Sequence, residues 1–336
     1  MTTTYQDATL RQRYRDLKKR LRGAIEFAVL APSSHNTQPW KFRIVRDGIE
    51  LYSDRNRTLP VVDPHDRELT ISCGAALYHL RLALNCDSLA TLIHVLPSAD
   101  QPDLLARLRV SGPHTPDEDE QELFRAIAHR RTNRQPFEQR HVPHSIFDEW
   151  YLDLKAHNCW LQLVEDKVQK HIIADLISEG DRLQGSDRNF RRELSQWVHP
   201  NHTSCRDGMP GYAHGANLIA SYLGPLMVRT FDWGEGQAAK DRQLAEGSPL
   251  LAIIGTKKDT PEAWMSTGQA LAKMLLRGTS RGLSASFLNQ PIEVASLRPE
   301  IEDQCDAKGF PQILLRWGYG REVPATPRRS VEEVLM

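Results

Sequence analysis

Two stretches, GAALYHLRLALNCDSLATLIHVLP at residues 74–97 and GQALAKMLLRGTSRGLSASFLNQP at residues 268–291, decide how this chain is read. They have equal length. Both begin Gly-x-Ala-Leu, both carry leucine at matching helical positions (Leu82 with Leu276, Leu89 with Leu283), and both end in proline. Each is followed by a run of strand character, LLARLRV at 104–110 and QILLRWG at 312–318. A unit that recurs once per half chain points to one supersecondary motif used twice. Two unrelated amphipathic helices could also look alike, since each needs one apolar face. The reading preferred here is an α+β fold of two related α/β halves, packed against each other as an internal pseudo-dimer.

Outward from the repeats, residues 8–30 have helical spacing through Leu10, Tyr14, Leu17, Leu21, Ile25 and Ala28, and Ala31-Pro32 ends the run. Lys41–Val45 and Ile49–Ser53 read as strands joined at Asp47-Gly48, a favourable hairpin turn. A helix is expected from about Glu68 to Asn85, and strands at Leu92–Leu96 and Leu105–Val110. SGPHTPDEDEQE, residues 111–122, reads as a linker leading into an acidic helix start, where negative charge suits the helix dipole. The boundary between a first half, 1–115, and a second half, 116–336, is placed there. In the second half, helices are expected near 120–129, 145–157 and 261–281, and strands at 159–164, 248–256 and 312–317. Residues 167–245 read as mostly helical, with Gly- and His-rich interruptions.

The bulk composition excludes several classes. Of 336 residues, 40% are hydrophobic, enough to build a core. The 43 basic residues balance the 43 acidic ones, so no global field favours nucleic acid or an anionic membrane, and any anion site must be local. Five scattered cysteines without a CxxC pair suit a reducing compartment. No run approaches the roughly 18 apolar residues of a membrane helix, and MTTTYQDATLRQRYRDLKKR lacks a signal-peptide core. The expected compartment is the cytoplasm.

Three segments carry the chemistry. RRTNRQPF, 130–137, sets Arg130, Arg131 and Arg134 around Thr132. Guanidinium forks and a hydroxyl suit phosphate oxygens, although a solvated basic helix end has the same composition. Arg328-Arg329, near the C-terminus, could fold back onto the same anion or lie on the surface. APSSHNTQPWKF, 31–42, crowds donors and acceptors between two stiffening prolines. Ser33, Ser34 and Asn36 can hydrogen-bond a heteroaromatic ring or a ribityl chain, while Gln38 and Trp40 can anchor the loop itself. His35 is either a proton donor or a loop-stabilising residue. His199, His202 and Cys205 have zinc-like spacing, but Pro200 interrupts the helix that would align them, and no metal is expected. Nucleophile-elbow and dinucleotide-fold glycine motifs are absent, and no convincing catalytic acid stands out.

PSSHNTQPW and RRTNR together resemble the flavin-dependent nitroreductase family, as do GLSASFLNQPIE (282–293) and the GYG…TPRR segment (318–329). The resemblance spans most of the chain outside 180–245. It implies a nitroreductase-like fold, non-covalent FMN, and NAD(P)H as co-substrate. It further implies that Arg130, Thr132 and Arg134, joined by Arg328 or Arg329, hold the phosphate and ribityl. Pro32, Ser33, Ser34 and Asn36 would then contact ring or ribityl, and the backbone at Leu288 and Asn289 would lie near the reactive N5. In this family the PSSxN loop and the arginine segment come from different subunits; here they lie in opposite halves of one chain, as in the two-halved Acg-like branch. The expected protein is therefore a monomer acting as a pseudo-dimer, with further homo-oligomers possible. It would be an oxidoreductase passing hydride to a nitroaromatic, quinone or similar small molecule, with no nucleic-acid or membrane partner. Residues 180–245 would form a lid. An alternative is an FMN-storage or redox-sensing protein whose covered flavin turns over little.

Overall fold

Gly74 and Gly268, the first residues of the two repeats, lie face to face at the centre of the molecule. A Cβ on Gly268 would sit 2.0 Å from the Ile71 carbonyl oxygen and 2.8 Å from Gly74 Cα, and one on Gly74 would sit 2.5 Å from the Met265 carbonyl oxygen. Their two helices can cross this closely only because neither residue has a side chain. Equivalent residues meeting each other is the signature of a two-fold interface, here within one chain.

The computed structural model describes the backbone of residues 2–214 and 218–336 and the side chains of 15–213 and 224–336. Helix α1 (Thr2–Ala28) leads through the loop into hairpin strands β1 (Trp40–Val45) and β2 (Gly48–Ser53). Then follow α2 (Arg67–Cys86), β3 (Leu89–Val95) and β4 (Leu104–Pro113). Helix α3 (Glu118–Ile127) precedes α4 (Ser145–Ala156) and β5 (Cys159–Val164). An insertion comes next: α5 (Lys167–Ser186), α6 (Arg188–Trp197), the two-residue strands β6 (Val198–His199) and β7 (Met209–Pro210), α7 (Leu218–Thr230) and α8 (Gly234–Glu246). The chain continues with β8 (Leu250–Thr256), α9 (Pro261–Ser280), β9 (Ser284–Phe287), α10 (Gln290–Glu293), α11 (Arg298–Asp303), β10 (Phe310–Gly318) and α12 (Val331–Val334).

The two main sheets are ordered β1-β2-β4-β3 and β5-β8-β10-β9, antiparallel throughout. Strands that correspond in the repeat take corresponding places, with α2 and α9 packed together between the sheets. The cores interpenetrate: Met265, Ala272 and Leu276 of α9 pack into the first, and Ile71 of α2 packs into the second. The fold is the expected α+β arrangement of two related halves.

Several boundaries shift for identifiable reasons. The hairpin turn is Arg46-Asp47, one residue earlier than expected, because Val45 pairs with Gly48. Gly48 is required by close approach to β4, since a Cβ there would meet the Leu108 carbonyl oxygen at 1.9 Å. The expected linker shrinks to residues 114–117, because β4 runs on to Pro113 beside Leu89 and α3 begins at Glu118. There Asp117 and Glu120 form a reciprocal capping box. SASF, not expected as a strand, forms β9 at the sheet edge. The calculated periodicity at Leu10 and Tyr14 falls on side chains outside those described.

Two glycine replacements separate close packing from helix propensity. Gly268→Ala should destabilise by about 1–3 kcal/mol through overpacking against backbone. Gly23→Ala in α1, with nothing within 4 Å of the new methyl group, should be neutral or stabilising by up to about 1 kcal/mol. Urea unfolding midpoints check both; equal midpoints would mean the helices do not cross this tightly.

Candidate functional site

A cavity of about 570 Å³ opens along the seam between the halves. Its wall combines Pro32, Ser33, Ser34, His35 and Asn36 from the loop, Arg130, Thr132 and Arg134 from the arginine segment, Leu288 and Asn289 after β9, and Arg328. Segments far apart in sequence thus meet in one concave site.

The arginine segment reaches the seam by extending a sheet. Thr132 bridges Ala285 in parallel, and the Asn133 amide donates to the Ala285 carbonyl at 2.9 Å, beyond the edge strand β9. Arg130 is 4% exposed. Its Nη2 donates to the Leu30 carbonyl at 3.4 Å, while Nε and Nη1 are buried without a partner. Arg328 is anchored by Asn36 Oδ1 at 2.9 Å and Thr326 Oγ1 at 2.6 Å, with Nε unsatisfied. Burial, then neighbouring arginines, lowers Arg130 to about 9 and Arg328 to about 10. Buried cations that repel one another and keep free donors are costly unless an anion joins them. Arg134 is half-buried and likewise lowered by burial, its Nη2 3.6 Å from Met209 Sδ.

Arg329 departs from expectation. It does not line the cavity; its guanidinium donates to the Gln38 and Glu333 carbonyls at 3.0 and 2.7 Å and lies 3.4 Å from Asp54. It fastens the C-terminal segment to the first half, where Met336 N also donates to the Phe42 carbonyl.

The loop's many polar groups are spent mainly on the protein. Asn36 Nδ2 donates to the Gly208 and Pro327 carbonyls at 2.8 and 3.1 Å, and its Oδ1 holds Arg328. Ser33 Oγ accepts from the Gln38 amide, and Ser34 Oγ donates to Glu68. Gln38, fully buried, accepts from the Arg329 amide at 2.8 Å and donates to the Arg206 carbonyl at 2.8 Å. The side chains of Ser33, Ser34 and Asn36 line the cavity, and each also makes a hydrogen bond within the protein that positions the loop. These bonds hold His35, Asn36 and Gln38 in the left-handed region (φ 49°, 56° and 52°), which is costly without such restraint. Burial lowers His35 to about 4, so it is neutral, and its Nε2 is buried without a partner.

The insertion supplies the opposite wall through Phe190, Leu194, Met209 and Trp233. Of the expected lid, 180–245, residues 215–217 lie outside those described. Its described part is joined to the loop and C-terminal segment by Asn36–Gly208, Gln38–Arg206 and Tyr212–Ala325 bonds. His199, Cys205 and Asp207 converge within 4.8 Å, with His202 outside the group. Asp207 is already held by Arg57 at 2.7 Å.

Sequence reasoning missed the acidic side of the cavity. Glu68, Asp181, Asp241 and Glu293 all line it. The Gln290 amide bridges Asp181 and Asp241 at 3.1 and 2.9 Å. Burial, then Asp241, pushes Asp181 up to about 8. Lone carboxyls in ordinary helices give no sequence signal; only the fold gathers them.

Two related α/β halves thus enclose one cavity with an incompletely satisfied arginine pair in its wall. No protein-family model matches the chain. "Putative NAD(P)H nitroreductase Rv3131" of Mycobacterium tuberculosis is 31% identical over 324 residues, covering 94% of this chain and 90% of the relative. "Putative NAD(P)H nitroreductase acg" of the same organism is 26% identical over 94% of both chains. "Probable NAD(P)H nitroreductase PigM" of a Serratia species is 25% identical over 94% of this chain and 92% of the relative. The chain belongs to the nitroreductase family, in its two-halved Acg-like branch. A solved FMN- and NADPH-dependent nitroreductase, NfnB, is far more distant, at 16% identity and a TM-score of 0.43 over 63% of this chain and 96% of that one.

The acidic wall makes a pH-dependent prediction. Native Asp181 keeps its proton up to about pH 8, whereas the unfolded chain releases it near 3.8. The native state binds more protons in that window, so this residue's contribution to stability falls as pH rises through it. Asp181→Asn should gain stability over the parent progressively from about pH 4 to about pH 8 and level off above. Urea denaturation across that range measures it, and a constant margin would contradict the assignment.

Proposed function

We propose that the chain is an FMN-dependent oxidoreductase that takes reducing equivalents from NADH or NADPH and delivers them to a nitroaromatic, quinone or related small acceptor. One observation carries the reading: Arg130 and Arg328 present buried, unpartnered guanidinium nitrogens to a single cavity shared by both halves. A phosphate ester suits them, because it brings charge to neutralise both arginines and acceptors for their free N–H groups. Arg134 and the Thr132 hydroxyl would add further contacts. The neighbouring Pro32–His35 and Leu288–Asn289 walls suit a flat ring system. The names of the relatives support the same chemistry. Bound FMN would supply reversible hydride transfer. The protein's part would be to grip the phosphate, orient the ring and keep bulk water from the cavity. The domain reading that goes with this is 1–115 and 116–336, each providing one wall of the site, with 180–245 as a lid.

One feature of the geometry favours a second reading, a flavin-storage or redox-sensing protein with little turnover. The insertion forms a wall of the cavity and is hydrogen-bonded to the loop and C-terminal segment. Anaerobic addition of NADH or NADPH to the FMN-loaded protein separates the two. Rapid bleaching followed by reoxidation with a quinone supports the enzyme; bleaching by dithionite alone supports storage.

The phosphate grip is tested separately. Arg130→Ala with Arg328→Ala should weaken FMN binding by about 3–6 kcal/mol, since a hydrogen bond to a charged group contributes roughly 1.5–3 kcal/mol. Titration by flavin fluorescence quenching reads the change, and unchanged affinity would move the phosphate elsewhere.

A further inference from the structure

Where does the cavity keep a proton? Glu68 from α2 and Glu293 from α10, one from each half, meet in its wall. The Glu68 carboxyl accepts from Ser34 Oγ at 2.5 Å, Arg67 Nη2 at 3.0 Å and Asn289 Nδ2 at 3.4 Å. Glu293 accepts from Gln184 Nε2 at 2.6 Å and lies near enough to Glu68 to feel its charge. Two buried carboxylates in one wall repel each other, a cost removed when one carries a hydrogen. Glu68 accepts from three donors, one of them its ion-pair partner Arg67, whereas Glu293 accepts only from Gln184 among the described side chains. The hydrogen is therefore assigned to Glu293.

We propose that Glu293 is the acid that protonates the acceptor, with Glu68 as the positioning residue that holds its proton. This rests on the oxidoreductase reading above. Reduction of a quinone to a hydroquinone consumes one hydride and one proton. NAD(P)H, through the cofactor, supplies the hydride. The Glu293 O–H bond breaks, a new O–H bond forms on the acceptor oxygen, and the carboxylate left behind takes a replacement proton from solvent. The surroundings favour this arrangement. Burial, then the Glu68 charge, raises Glu293 well above the usual carboxyl range. Asp181 of α5 and Asp241 of α8, both also raised, add negative charge to the same cavity. Arg67 of α2 opposes them, but is bound to Glu68 and to the Gln312 carbonyl. Arg316 of β10 donates to the Asn133 and Gln135 carbonyls, and Arg298 of α11 is paired with Asp259. His35 is neutral. Arg67, Arg298 and Arg316 are thus engaged elsewhere, and burial beside the Glu68 charge favours a proton on Glu293.

The test has two parts. In parent-minus-variant infrared difference spectra of the flavin-free protein at neutral pH, Glu293→Gln should remove one protonated-carboxyl C=O band, while the contribution of Asp181 cancels. A difference spectrum without that band would overturn the assignment. In stopped-flow work on the FMN-loaded protein, Glu293→Gln should leave reduction by NADPH unchanged within about 2-fold. Reoxidation by a quinone should slow by about 10²-fold or more, the lower range for general acid catalysis. Glu293→Asp should recover part of that rate, and the pH dependence of reoxidation should flatten in Glu293→Gln. If NADPH does not reduce the flavin, the oxidoreductase reading fails. Dithionite-reduced protein then still tests the acid, because reoxidation is measured alone. Equal reoxidation rates for parent and Glu293→Gln would overturn it.

Discussion

The close crossing of α2 and α9 at Gly74 and Gly268 is the constraint from which the rest follows. With no side chain at either position, the helices approach until each backbone touches the other. Residues on either side then reach the opposite core, Ile71 in one direction and Met265 in the other. The two sheets are held at a fixed separation, and the seam between them has a defined width. A cavity bounded by both halves, with walls positioned by rigid helices and strand edges, is the consequence.

Electrostatics sharpen that seam. The chain as a whole is neutral, yet the cavity contains buried guanidinium groups on one wall and raised carboxyls on another. Neither arrangement would persist for stability alone, since unneutralised charge and repelling neighbours both cost folding free energy. The opening loop shows the same economy of purpose. Three residues hold left-handed backbone; Asn36 and Gln38 among them are restrained by hydrogen bonds to the C-terminal segment and the insertion, and Asn36 links that loop to Arg328. The loop, the C-terminal segment and the insertion thus form one polar lattice around Arg130 and Arg328. Arg329, adjacent to Arg328, fastens the lattice while Arg328 faces the cavity.

Much of this was legible in the sequence. The paired Gly-x-Ala-Leu repeats predicted the two halves from local spacing and residue type. That the site would bridge them was implied by the family resemblance of PSSHN and RRTNR, which lie in opposite halves. Which of two adjacent arginines faces inward was not legible, because that depends on strand pairing and backbone direction. The internal partners of the loop's serines and asparagine were not legible for a related reason: composition reports how many donors and acceptors exist, but not which groups they meet.

By itself, then, the sequence determined the duplication, the order of elements and the residue types that an anion-binding seam needs, because helix and strand periodicity and loop chemistry are short-range properties. Tertiary structure alone decided that Glu68 and Glu293, 225 positions apart in the chain, line one cavity, and that Asp181 and Asp241 face the same space. Burial and proximity, which set where protons reside, are created only when distant segments are brought together and water is excluded between them.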